Sequence, residues 1–376
     1  MSRITTVCGD IKPEELGMTT MHEHTIFKTL MLIKAVLGNG TAKQGLSKDQ
    51  KSDAVEESQS NKEEKIPKGA ALGLIKMMCL NPALKKSKED YYTQELIEFK
   101  KVGGQSLVDA TPIGGHVNMK KIQKLSKNSG VNIIAGIGYY VEPVIPKKLV
   151  RGGEDAMMEV LSKGIEHGIG QSGVKPGFIK CALSMVRDGK ISAIEMMSMR
   201  ACARIAKKYG MSLHIHTAYP LTYEMILGAA DVLTNEIGIK PERVLICHID
   251  GDSIRFMNPN LEINEKGYNS SLALELLKRD FNIDLDGWGM AMQGKEKGLA
   301  QDEARFQLLK ELVEAGYAGQ ICLGHDVANK MTGKQAGAYG YTRFPTFVPQ
   351  RMKEEGMNEA SYHQMTVENP ARILAY

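Results

Sequence analysis

The sequence predicts an α/β protein: a (β/α)8 TIM barrel with a long polar and helical insertion after its first strand. Three observations predict it. Eight short apolar, strand-like runs alternate with helix-like segments along the chain. Every candidate ligand sits at the C-terminal end of its strand, the end on which barrel enzymes place their chemistry. No Gly-x-Gly-x-x-Gly follows the first run, as an open doubly wound sheet with a phosphate site would present.

Taken in order, residues 1–18 form an opening segment with Gly9-Asp10 and Gly17 as turn signals. The first strand, 19–22, leads into Met21-His22-Glu23-His24-Thr25. Residues 28–95 are then a connection far longer than a βα loop needs. Its middle, 38–68, mixes Lys, Asp and Glu and reads as a solvated helix-and-loop excursion, whereas residues 70–80 are apolar enough to pack on something, as a lid or a dimer contact would. From Glu89 the rhythm is regular. Helices are expected at 94–101, 119–127, 154–168, 191–209, 223–233, 271–279 and 303–315. Strands are expected at 106–111, 131–136, 178–183, 211–216, 243–249, 282–285 and 320–323.

Composition narrows the class. A chain of 376 residues is long for one domain but ordinary for an α/β barrel, so residues 1–376 are expected to form a single domain with the 28–95 insertion inside it. The net charge of +4 is mild for this length, which argues against nucleic-acid binding and only weakly for anionic substrates. Six cysteines show no Cys-x-x-Cys spacing, as in a reducing cytoplasm. Alternation along their strands is expected to turn Cys181 and Cys247 outward, toward the helix layer. The N-terminus lacks an apolar signal segment, and no run of about 18 apolar residues occurs, so a soluble cytoplasmic protein without a membrane span is expected.

The chemistry gathers at strand ends. Residues i and i+2 of a strand share a face, so His22 and His24 reach one centre while Glu23 points away. Lys180, His216, His248 and Asp326 end four further strand-like runs. Singly, each has a bland reading: a hydrogen-bonded core histidine, an ion-paired lysine, a helix-capping aspartate. Jointly, at the ends of five strands around one barrel mouth, they read as a hydrolytic metal centre. A Lys amine kept neutral in a barrel interior can add CO2, and the resulting carbamate is a two-oxygen anion suited to bridging two ions. His214 lies one layer deeper, either supporting the ligands or packing in the core, and His116, His167, His325 and His363 are left outside the set.

The order His-x-His, Lys, His, His, Asp sits within Gly-Phe-Ile-Lys, Ile-His-Thr-Ala, Cys-His-Ile-Asp and Leu-Gly-His-Asp. Together with Gly340-Tyr341-Thr342-Arg343-Phe344 and Val367-Glu368-Asn369-Pro370-Ala371, it resembles the phosphotriesterase-related, lactonase-containing branch of the amidohydrolase superfamily. The resemblance spans nearly all of the chain except most of 28–95. It implies that His22, His24 and Asp326 bind the more buried of two divalent ions, and that His216 and His248 bind the more exposed one. Carboxylated Lys180 bridges them. Zinc is the default, with manganese, cobalt or iron as substitutes. It further implies a metal-bridging hydroxide as nucleophile, Asp326 as the proton acceptor, and a homodimer.

Substrate clues are finer. Gly136-Ile137-Gly138-Tyr139-Tyr140 resembles the lactonase type, placing Tyr140 either over the metals as a hydrogen-bond donor or in an aromatic pocket wall. Acyl-homoserine lactonases resemble Leu-Asp-Arg-Tyr-Gly after strand seven, whereas this chain has Leu285-Asp286-Gly287-Trp288-Gly289. The missing arginine weakens that assignment and leaves Trp288 as a pocket wall or a structural plug. Lys295, Lys297, Lys330 and Arg343 lie in the loops after strands seven and eight, where barrels bind phosphate, although a loop lysine is commonly just solvated. The expectation is a lactonase opening a small phosphorylated sugar lactone. An N-acyl amino acid amidohydrolase, an acyl-homoserine lactonase or phosphotriesterase, and an inactive metal-binding barrel are the alternatives.

Overall fold

The computed structural model describes residues 2–26, 87–113, 115, 118–255, 261–290 and 295–376, with side chains omitted for 295–298. Most of the 28–95 insertion, including the apolar stretch 70–80, therefore lies outside the described residues. Eight parallel strands form one sheet in sequential order. They are β1 (Thr19–Glu23), β2 (Ser106–Asp109), β3 (Asn132–Gly138), β4 (Phe178–Leu183), β5 (Leu213–Thr217), β6 (Val244–Cys247), β7 (Asn282–Leu285) and β8 (Ile321–Leu323). Backbone hydrogen bonds from Asp326 N to His22 O (3.0 Å) and from His24 N to Val327 O (3.3 Å) join the end of β8 to the end of β1, so the sheet curls into a nearly closed barrel.

Helices α1 (Lys88–Lys101), α2 (Met119–Ser129), α3 (Lys147–His167), α4 (Ala193–Tyr209), α5 (Tyr223–Asp231), α6 (Ser271–Lys278) and α7 (Lys295–Glu314) occupy the connections between strands. Their ends follow local chemistry. Asn118, Ser192 and Thr222 accept hydrogen bonds from the first-turn amides of α2, α4 and α5. Gly130 and Gly210 end α2 and α4 in the left-handed conformation. A further helix, α8 (Arg343–Glu354), follows β8. The sequence reading left that segment unassigned, because Pro345 and Pro349 speak against helix. Pro345 falls in the first turn, where a missing N–H costs nothing, and only Pro349 is internal.

Alternation sorts the strand side chains. Leu107, Ile133, Ile179, Leu213 and Ile283 face the helices, whereas Val108, Ile134, Phe178 and Leu245 fill the barrel; Met21 joins them beside His22, at the register shift between Thr20 and Glu23 of β1. Ile4, Leu16, Ile373 and Leu374 join the interior cluster, so the opening segment and the C-terminal helical turn plug the end opposite the strand C-termini. Gly136 and Gly138 are there for close approach: a Cβ on Gly138 would lie 1.6 Å from Lys180 O, and one on Gly136 would lie 2.5 Å from the Phe178 ring. One expectation fails. Cys181 packs in the helix-facing cluster as expected, but Cys247 lies in the interior cluster, with its Sγ 3.9 Å from Lys180 Nζ. The cause is at His248, whose backbone is left-handed (φ 63°), so the chain turns at the strand end and both neighbours reach inward.

Candidate metal centre

The strand ends bring the six sequence-selected residues together. His22 Nε2 lies 3.4 Å from Lys180 Nζ, His24 Nε2 lies 3.4 Å from Asp326 Oδ1, and His216 Nδ1 lies 2.7 Å from His248 Nε2. The His22 and His248 ring centroids are 4.5 Å apart, as are those of His216 and His248. Donor atoms of His22, His24 and Asp326 all fall within 4.8 Å of one another.

Their protonation suits ligation. Burial first, then the nearby Lys180 charge, holds His22 well below the ordinary imidazole range; burial and then His248 do the same for His216. Both are neutral and offer lone pairs. Burial pushes the Asp326 carboxyl up, but the His24 hydrogen bond and the surrounding imidazoles outweigh it, and the net direction is down. His248 is opposed by burial and still net raised, because Asp286 faces it.

Several supporting residues were not picked out from the sequence. Asp286 touches two of the imidazoles, with Oδ1 2.7 Å from His248 Nδ1 and Oδ2 2.9 Å from His22 Nδ1. The hydrogen bond to His248 Nδ1 turns that ring's Nε2 toward the centre, as a carboxylate commonly fixes an imidazole, whereas the His22 contact is close but not aligned as a hydrogen bond. Asp286 is held in turn: Asp250 accepts from the amides of Asp286 (3.2 Å) and Gly287 (3.0 Å) and pairs with the buried guanidinium of Arg305. Arg305 also reaches Asp302 at 2.7 Å. A carboxylate closing strand seven was a readable signal, obscured by attention to the absent arginine. Glu23 is the other omission. It points away from the centre, as alternation requires, but it accepts from Thr20 Oγ1, His325 N (2.9 Å), His325 Nδ1 (2.6 Å) and Val327 N (2.9 Å), clamping β1 to the segment that carries Asp326. Phe344 N donates to His325 Nε2 at 3.3 Å, so the proton of neutral His325 belongs on Nδ1, facing Glu23.

The remaining candidates are more scattered. The Tyr139 hydroxyl donates to Met157 O (2.8 Å) in the helix layer, which leaves Tyr140 at the mouth with its ring 5.2 Å from that of His216. His214 stacks on Phe178 at 4.3 Å, below the centre. Trp288 is buried beside Phe347 and beneath the Arg305 guanidinium, in the position of a plug. Arg343 is half-buried, with Nε 2.6 Å from Asp302 Oδ2, its guanidinium over Phe347 and Tyr339, and Nη2 buried without a hydrogen-bond partner. Lys330 Nζ lies over the Tyr91 ring at 5.3 Å. Lys295 and Lys297 open α7, and their side chains lie outside the described residues.

A sequence profile of the Phosphotriesterase family matches residues 2–374. The chain belongs to the phosphotriesterase family. Phosphotriesterase-family proteins are metal-dependent hydrolases, and the chain is an enzyme of that kind. A phosphotriesterase-related protein of Nematostella vectensis is 24% identical, with 99% of this chain and 98% of the relative covered. An N-acetyltaurine hydrolase of Dictyostelium discoideum is 25% identical, with 100% and 98% covered. Among solved structures, a lactonase from Listeria monocytogenes superposes with TM-score 0.70 at 22% identity, covering 99% of this chain and 98% of that one. A resiniferatoxin-binding protein from Rhodobacter sphaeroides superposes with TM-score 0.72 at 24% identity, covering 99% and 94%. No described helix of this phosphotriesterase-family chain is long and apolar enough to cross a membrane.

Proposed function

We propose that this hydrolase opens a small lactone carrying an anionic group, a phosphorylated sugar lactone first among them. The observation that carries the reading is the convergence of four imidazoles, one lysine and one carboxylate beneath Tyr140. His22, His24 and Asp326 would hold one divalent ion and His216 and His248 a second, with a carbamate on Lys180 between them. Zinc is the default, and manganese, cobalt or iron would also suit the donors. Such ions supply a hydroxide at neutral pH and Lewis acidity toward the attacked oxygen.

The chain's own groups do the rest. Asp326, ionised and beside His24, accepts the proton of the attacking water and returns it to the leaving alkoxide. Burial keeps the Tyr140 phenol protonated, so it donates a hydrogen bond to the oxygen on which charge develops. Asp286 keeps His248 aimed. Lys330 and the unpartnered Nη2 of Arg343 are the groups assigned to the anion.

The test is a pH-indicator assay of zinc- or manganese-loaded protein on pentono- and hexonolactones with and without phosphate. Turnover confined to the phosphorylated set supports the reading, and equal rates on both sets remove the anion requirement. The N-acetyltaurine hydrolase relatives favour a second reading, an amidase for an N-acyl group on a small acid. Turnover of N-acetyltaurine or N-acyl amino acids, with none on lactones, would select it.

A further inference from the structure

Beneath the histidines the barrel holds a second donor set with different chemistry. Asp284 lies on β7 and Asp286 one residue past its end, two positions on, so the two carboxylates turn to the same side. In the β6–β7 ladder Ile246 pairs with Ile283, which brings Cys247 level with Asp284, its thiol turned inward. His22 approaches from β1, its Nδ1 2.9 Å from Asp286 Oδ2. One donor atom from each of His22, Cys247, Asp284 and Asp286 falls within 4.8 Å of all the others, and all four residues are buried.

Asp284 makes this more than a cluster of acids. It is 0% exposed, and neither carboxylate oxygen has a hydrogen-bond partner. A carboxylate so placed is strongly disfavoured unless a positive charge meets it. Asp286 has the His248 imidazole hydrogen-bonded to it, whereas Asp284 accepts no hydrogen bond and has the Lys180 charge acting on it.

We propose that His22, Cys247, Asp284 and Asp286 form a deeper, thiolate-containing site for a borderline divalent cation such as zinc or cobalt. Two carboxylates, one thiolate and one imidazole are a tetrahedral donor set for such ions, whose ligand atoms stand about 3.4 Å apart at ordinary bond lengths. On binding, the Cys247 thiol and the His22 Nδ1–H each release a proton to solvent, and the sulfur and the bridging imidazolate nitrogen donate the freed pairs to the ion. The competing charge is the Lys180 ammonium, 3.9 Å from Cys247 Sγ. Because His22 belongs to both donor sets and Lys180 stands beside them, the inference rests on the proposed upper centre. The ion ties β1, β6 and β7 together across the barrel interior.

Cobalt tests it without reference to turnover. The full-length chain is freed of metal, titrated with Co2+ in bicarbonate buffer, and followed by absorption together with bound metal per chain. The histidine-rich upper centre gives only weak visible bands, whereas cobalt on a thiolate adds an intense near-ultraviolet charge-transfer band. The expected result is that band in the parent, lost in Cys247→Ser and reduced at least several-fold in Asp284→Asn, with circular dichroism of each variant matching the parent. Visible bands without the charge-transfer band overturn the deeper site and leave the upper centre standing. A band that survives Cys247→Ser, or is undiminished in Asp284→Asn, overturns it as well. Failure to retain any cobalt removes both.

Discussion

Lys180 is 1% exposed, with His22 Nε2 3.4 Å and Cys247 Sγ 3.9 Å from its Nζ, a setting that gives an ammonium little to bond with and would suit the proposed bridging carbamate. Lys180→Ala is expected to lose bound metal and activity together, and a short carboxylic acid with bicarbonate to restore part of both. Unchanged metal content in that variant would remove the bridging role. Tyr140→Phe is expected to keep its metal and lose roughly 10-fold or more in kcat, the scale of one donor to a developing oxyanion; an unaltered kcat would make Tyr140 a pocket wall. At this scale the sequence was legible wherever a ligand ends a regular strand, because period-two alternation settles which way it faces. It was illegible at Cys247, where the left-handed backbone of His248 breaks the alternation, and at Asp284, which offers no motif.

Between neighbouring elements, β1 and the chain after β8 meet through Glu23, whose carboxylate takes both the His325 and Val327 amides. Glu23→Ala strands two buried donors and is expected to cost about 2–4 kcal/mol in urea unfolding. It should also weaken metal retention, since Asp326 sits between the two released amides. A cost under about 0.5 kcal/mol would show that the clamp is dispensable. The stretch after β6 carries a pH dependence. Burial raises the Asp252 carboxyl from 3.8 to about 7, against a hydrogen bond from Thr217. Because the folded value lies above the unfolded one, the contribution is full below about pH 4 and is lost as pH climbs through 7. At most about 4 kcal/mol is involved. Asp252→Asn should therefore stabilise the metal-free chain more at pH 8 than at pH 5 in thermal melts, and a pH-independent difference would count against it. Element ends such as these escaped the sequence reading because Glu23 and Asp252 act through partners far along the chain or outside any periodic run.

For the molecule as a whole, barrel and centre stabilise each other. The proposed ligands sit on β1, β4 and β5 and just past β1, β6 and β8, so an ion bound there would hold distant segments together. Removing metal with a chelator is expected to lower Tm by about 3 °C or more, the shift for one ion held at about a hundred times its Kd in a chain of 376 residues. An identical Tm would mean a centre rigid without its ions. The barrel itself was legible because eight apolar runs with glycine punctuation admit few other topologies. The helix after β8 was hidden by its prolines, and substrate selectivity by long-range pairing: Arg343 reads as a free cation in sequence, yet its Nε is committed to Asp302. His248 and Asp326 both sit in the left-handed region, at φ 63° and 50°, which side chains other than glycine occupy at a cost. A library sorted only for heat tolerance should therefore drift toward glycine at positions 248 and 326, while one sorted for turnover should hold them unchanged. Comparing the two lineages would show which positions this enzyme keeps for chemistry at the expense of durability.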